Sequence, residues 1–351
     1  MDLSKYKDKG FTGLANLGNT CFLNSCLQIL NHTYELNEIL ESTKCSQTMK
    51  PKLQDTTILK EWNNLRKIMW SGNGIVSPNK FVYSVQQIAN AKNRDIFTGW
   101  AQNDITEFIL FIIDCLHNSI SRKINMNITG DIMNNTDKMA VVSYEMLKNV
   151  YSNEYSEIME MFYGIYVSVI MTTNEKKTHV MRPEHFFMLN LQIINPDNRE
   201  IKSLHDCFDL FVESEIMEGE NAWFNEKTNK KENIKKKMFF WNFPKVLVIT
   251  LKRFSPDGTQ KLNNLIDFPL ENFNLSKYVH GYNPASYVYD LYGVCNHSGG
   301  VNCGHYTAFV KNSSDQWIHY NDTHVDIVQN PKSIVTPMAY CLFYRKKNNL
   351  L

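Results

Sequence analysis

Apolar residues recur at helical spacing through the first third of the chain and give way to short, strand-like apolar runs beyond it. Phe22, Leu23, Cys26, Leu27 and Leu30 mark one face of a helix that begins at Cys21, just after the capping-type residues Asn19 and Thr20. Weaker periodicity predicts helices over 58–69 and 78–88. The strongest helix spans 104–116, with Ile105, Phe108, Ile109, Ile112, Ile113 and Leu116 inward. Asp104 and Glu107 at its start have the spacing of a capping box. The polar stretch 117–137 reads as a surface connection. From there the pattern is that of strands, at 162–171, 185–193, 236–241, 246–251, 287–294, 306–310, 317–320 and 340–344. Helices first and strands afterwards predict an α+β fold.

Composition narrows the class. The chain has 351 residues, 43% of them apolar, enough for a large core. Its net charge of +1 gives no reason to expect nucleic acid or an anionic membrane as partner. The first ten residues are polar, so no secretory signal is expected, and no apolar run reaches the length of a membrane span. The eight cysteines contain no CxxC pair, and dispersed thiols predict a reducing, intracellular setting, cytoplasmic and/or nuclear. The basic run 227–237 reads as a solvated hairpin rather than a localisation signal.

Candidate chemistry begins at Cys21. A thiol in the first turn of a helix meets the positive end of the macrodipole and unpaired N–H groups, which predicts a favoured thiolate. A nucleophilic cysteine needs a base and a group that orients the base. The segment from Gly304 to Asp322 supplies both, as two strand-like runs around a short polar loop. A turn centred on Ser313 places His305 opposite Asn321, and a slip of one residue would bring Asp322 nearer instead. Gly304 removes a side chain beside the histidine, and Gly299-Gly300 predict a mobile loop ahead of it. The Cys21 backbone N–H and the Asn16 side-chain amide are candidate oxyanion donors.

These segments resemble the Cys and His boxes of the ubiquitin-specific proteases. The motifs GLANLGNTCFLNSCLQ (13–28), QNDITEF (102–108), LKRF (251–254), GHYTAFV (304–310) and WIHYND (317–322) occur in the family order, and the likeness spans about 11–346. It implies a papain-like fold with a helical thumb at about 11–145 and β-rich fingers and palm at about 146–346. Residues 1–10 and 347–351 are then short tails around one catalytic domain. It implies a deubiquitinase acting through an acyl-enzyme thioester on ubiquitin or ubiquitinated proteins. Cys21 resembles the nucleophile, His305 the base, Asn321 the third member, Asn16 the oxyanion amide and Asp322 an auxiliary acid. Asp104, Glu107 and Tyr306 fall where the family contacts the ubiquitin tail, with Gly304 and His297 beside the cleft. No cofactor is expected, and the oligomeric state is left open.

One departure is clear. The family's fingers usually carry two CxxC pairs that bind zinc, and Thr172, Glu175, Phe224 and Lys227 stand near those positions. No thiolate zinc site is therefore expected, and the fingers must rest on pairing and packing. Rival readings are an inactive ubiquitin-binding scaffold, a protease for another ubiquitin-like modifier, and a Cys₂His₂ zinc site from Cys295, His297, Cys303 and His305. Cys26 is expected in the core, His297 in a loop lining the cleft, and Arg253 in palm packing. Trp223 and Phe224 are either exposed fingers residues or strand core, and His319 is given no role.

Overall fold

The computed structural model describes residues 2–94, 97, 103–175, 177–195, 199–255, 257–301 and 303–347. Gln102 of the QNDITEF motif and the last four residues of the C-terminal tail lie outside them.

The chain opens with β1 (Gly13–Leu14), α1 (Cys21–Asn31), α2 (Tyr34–Glu41), α3 (Thr43–Thr48) and α4 (Asp55–Ser71). After β2 (Ile75–Val76) come α5 (Asn79–Ala91), α6 (Ile105–Ile120), α7 (Asn135–Glu154) and α8 (Glu157–Phe162). Strands then dominate: β3 (Gly164–Thr172), β4 (Thr178–Phe186) and β5 (Met188–Gln192) are followed by α9 (Leu204–Phe211). Next are β6 (Glu215–Met217), β7 (Trp223–Asn225), β8 (Lys230–Glu232), β9 (Ile234–Asn242), β10 (Val246–Lys252) and β11 (Phe273–Asn274). The last are β12 (Val288–Gly299), β13 (Gly304–Lys311), β14 (Trp317–Asn321), β15 (His324–Ile327) and β16 (Ala339–Lys346).

The expected α+β class holds. A large sheet in the order β15-β14-β13-β12-β16-β10-β5, with β11 added to β12, carries the helical region on one face. Phe22, Leu23, Ile29 and Leu30 of α1 are almost wholly buried there, in one core with Tyr306, Ala308 and Val310 of β13. Cys26 is in that core, as expected from its spacing. A second sheet, β4-β3-β9-β6, is covered by α7 through Met139, Ala140, Val167, Val169 and Trp241. The expected thumb boundary at 145 thus falls inside a helix, and that helix packs on the smaller sheet.

Arg253 agrees with its packing role. It is fully buried and donates to the carbonyls of Ala339, Leu262 and Asn264 at 2.6, 3.1 and 2.9 Å. Burial lowers its pKa to about 10. The basic run 227–237 is a hairpin at its start, β7–β8, but continues into the paired strand β9. Among the described residues, no helix is long and apolar enough to cross a membrane.

Candidate active site

α1 starts at Cys21, as its periodicity predicts. Thr20 is not a side-chain cap, however. Its hydroxyl accepts from Leu17 N at 2.9 Å and donates to Asn16 Oδ1 at 3.3 Å, so it ties the preceding loop instead. The first-turn N–H groups have no intrahelical partners and remain available at the sulfur. Cys21 is only 4% exposed. Burial is the largest influence on its thiol and raises the pKa, with the charge of Asp322 adding to the rise. The backbone N–H groups of Tyr306, Phe22 and Cys21 act the other way but do not prevail. Burial thus works against the thiolate that the helix terminus favours.

β13 brings the base. His305 Nε2 bonds Asn321 Oδ1 at 2.7 Å. A carbonyl-type oxygen only accepts, so Nε2 carries the proton and Nδ1 of the neutral ring offers a lone pair. The hairpin register differs from expectation. The pairs Ala308↔Tyr320 and Phe309↔His319 centre the turn on Ser314, so His305 and Asn321 are diagonal rather than directly opposite. Asn312 sets this turn by accepting from Ser314 N and Gln316 N, each at 2.9 Å, with Asp315 in the left-handed region at φ 59°. A two-residue shift preserves the face, which is why the predicted pair still meets. Among the described residues, the ring's hydrogen bond is to Asn321 and none joins it to Cys21.

The loop before α1 is locked to the far end of the chain. Asp322 Oδ2 accepts from Asn16 Nδ2 at 2.9 Å, and its Oδ1 accepts from Asn24 Nδ2 at 2.8 Å. Asn16 Oδ1 accepts from Gly18 N and Thr20 N, both at 3.1 Å. Asp322 thus faces Asn16, not His305, and leaves the second N–H of that amide for another acceptor. Asn24 was not among the candidates. Its signal was a polar residue one turn beyond Cys21, on a helix face shared with Ser25 and Gln28 that is polar yet buried.

The cleft walls differ from expectation in detail. His297 is a strand residue of β12, 5% exposed, and not a loop residue. Its ring lies 4.7 Å from that of Tyr306, which is itself buried. Burial lowers the His297 pKa to about 4, helped by Lys261 and opposed by Asp104. Gly304 is required here because a Cβ would lie 2.1 Å from His297 Nε2 and 2.6 Å from Ser298 O. The expected mobile loop is a tight turn at its base, closed by Gly300 N to Cys303 O at 2.9 Å. The Cys₂His₂ alternative does not assemble: Cys295 is buried in register with Cys341, Cys303 is exposed, and His305 is engaged by Asn321.

Asp104 caps α6 by accepting from Thr106 N at 2.7 Å, and its other oxygen accepts from Tyr340 Oη at 2.7 Å. Glu107 completes no capping box and is exposed. Arg253 and Trp223 lie elsewhere; His319 is on β14 near His305, its ring tilted against Phe309 with 4.7 Å between centroids.

A cysteine at a helix start beneath a sheet-borne His–Asn pair, in an α+β frame, defines the papain-like class of fold. The chain belongs to the ubiquitin carboxyl-terminal hydrolase family, whose model matches residues 12–344. It is 32% identical over 348 residues to ubiquitin carboxyl-terminal hydrolase Usp2 of Drosophila melanogaster, covering 97% of this chain and 35% of that protein. Ubiquitin carboxyl-terminal hydrolase 2 of Homo sapiens is also 32% identical, over 96% of this chain and 55% of its own length. The chain therefore spans about a third to a half of these two relatives. Among solved structures it is similar to the SAGA Ubp8/Sgf11/Sus1/Sgf73 DUB module bound to ubiquitin aldehyde. That likeness has a TM-score of 0.73 and 25% identity, over 99% of this chain and 72% of that one.

Proposed function

We propose that this chain is a thiol deubiquitinase that hydrolyses the isopeptide or peptide bond after the C-terminal Gly of ubiquitin. The observation that carries the reading is the His305–Asn321 hydrogen bond on the strand whose Tyr306 N–H acts on the Cys21 sulfur. His305 Nδ1 takes the thiol proton as sulfur attacks the carbonyl, which offsets the rise that burial imposes on the thiol pKa. Asn321 holds the ring in the required tautomer and stabilises the imidazolium. The Cys21 N–H and the free N–H of Asn16 receive the oxyanion, and Asp322 keeps that amide aimed. His305 then protonates the leaving amine, and water releases the thioester with His305 again as base. Glu107 at the exposed rim meets a basic tail, and Asp104, Tyr306, Gly304 and His297 form the narrow passage for its glycines. No cofactor takes part. The dispersed free thiols support an intracellular setting, cytoplasmic and/or nuclear.

The test is labelling by ubiquitin bearing a C-terminal electrophile, run beside a panel of ubiquitin-like probes. One covalent adduct on Cys21 is expected, lost in Cys21→Ala with the fold intact. An unlabelled, folded and reduced protein would falsify the reading, and exclusive labelling by another modifier would redirect it.

A further inference from the structure

Zinc does not fit the two turns where the family's cysteines stand. Thr172, Glu175, Phe224 and Lys227 offer no thiolate, and among the described residues no group of three or more His, Cys, Asp or Glu could hold a metal ion. The turns are joined in another way. In the β3–β4 turn the Thr172 hydroxyl donates to Asn174 Oδ1 at 2.8 Å and accepts from Lys177 N at 3.1 Å. The β7–β8 hairpin forms its own two-stranded sheet. Inside it Glu232 Oε1 accepts from Asn225 Nδ2 at 2.8 Å and from Thr228 Oγ1 at 2.6 Å. Between the two turns stands His179, the second residue of β4. Its ring centroid is 5.5 Å from that of Trp223, and its Nε2 is 3.8 Å from Glu232 Oε2. The His179 side chain is 9% exposed despite lying in a polar, surface-forming segment. An ion pair between Lys235 and Glu175 links β9 to the first turn as well. Successive strand residues face opposite ways, so with Trp223 turned to His179, Phe224 is left 49% exposed.

We propose that His179, Trp223 and Glu232 form a metal-free clamp that fixes the tip of the fingers and so shapes the surface that receives the folded body of ubiquitin. This rests on the deubiquitinase reading. The three are positioning residues. They act on capture of the folded modifier and not on bond cleavage, because they belong to sheets other than the one carrying His305 and Asn321.

The experiment compares the full chain with Trp223→Ala and His179→Ala. Substrates are ubiquitin carrying a fluorogenic C-terminal amide, and a short Gly-Gly-ended peptide with the same leaving group. Loss of one aromatic contact predicts a KM for the ubiquitin substrate raised roughly three- to tenfold, with peptide hydrolysis unchanged within about twofold. New proteolytic cuts are expected within 219–233, and Trp223→Phe restores the parent KM. A chelator leaves the KM and Tm of the parent unchanged. Equal loss on both substrates, an unaltered proteolysis pattern, no rescue by Phe, or destabilisation by the chelator overturns the clamp. If Trp223→Ala does not fold, His179→Ala decides. A parent chain that cleaves neither substrate sinks the deubiquitinase reading, while proteolysis and its reversal by Phe still decide the clamp.

Discussion

Cys21 and His305 are separated by almost the whole chain, and each depends on a neighbour for its chemistry. The neighbour of greatest leverage is Asp322, since one carboxylate holds both Asn16 and Asn24. Asp322→Ala frees the Asn16 amide while leaving the His305–Asn321 bond in place. The expected result is a kcat lower by roughly 10²-fold with little change in KM, the size expected for loss of one oxyanion donor. Steady-state kinetics on a ubiquitin amide substrate checks this, and a fall confined to KM would assign Asp322 to substrate capture instead. The residue types were legible from the sequence: Cys21, His305, Asn321 and Asn16 were all singled out there. The partner of Asp322 was not, because its left-handed backbone, φ 51°, turns the carboxylate towards the Asn16 loop.

At the level of elements, α6 shows how one carboxylate serves two ends. Asp104 caps the helix and holds Tyr340, whereas Glu107 one turn on is exposed and makes no cap. Asp104→Ala should lower stability by about 1 kcal/mol, the usual worth of an N-cap, and raise KM as well. Glu107→Gln should raise KM while keeping stability within about 0.5 kcal/mol, as surface changes do. Denaturant unfolding beside kinetics separates the two, and equal stability losses would refute the division. The helix start at Asp104 was readable because its apolar face is strict. α7 was missed because its burial is confined to Met139, Ala140 and Ser143, too few to set a period. The β13–β14 register was also missed, because Asn312 and Asp315 define a turn that a count from the loop centre does not locate.

For the whole molecule, the joint between helices and sheet carries a pH dependence. His32 is fully buried among Trp70, Tyr34 and Tyr320, and burial lowers its pKa to about 4, as it does for His297. A folded-state value below the unfolded one means the unfolded chain binds more protons in between. Stability should therefore fall as pH drops from about 6.5 towards 4, by roughly 2–5 kcal/mol for the two together. Urea midpoints across that range test this, and His32→Gln should flatten the slope; a midpoint independent of pH would contradict it. By itself the sequence determined the α+β class, the chemistry-bearing residues and the absence of thiolates at the zinc positions. Periodicity and residue type are local, and they survive any folding of the chain. Only the tertiary structure decided that burial raises the pKa of the Cys21 thiol, that Asp322 serves Asn16, and that His179 meets Trp223 and Glu232. Each of these is set by burial or by contact across long chain separation, which spacing does not encode.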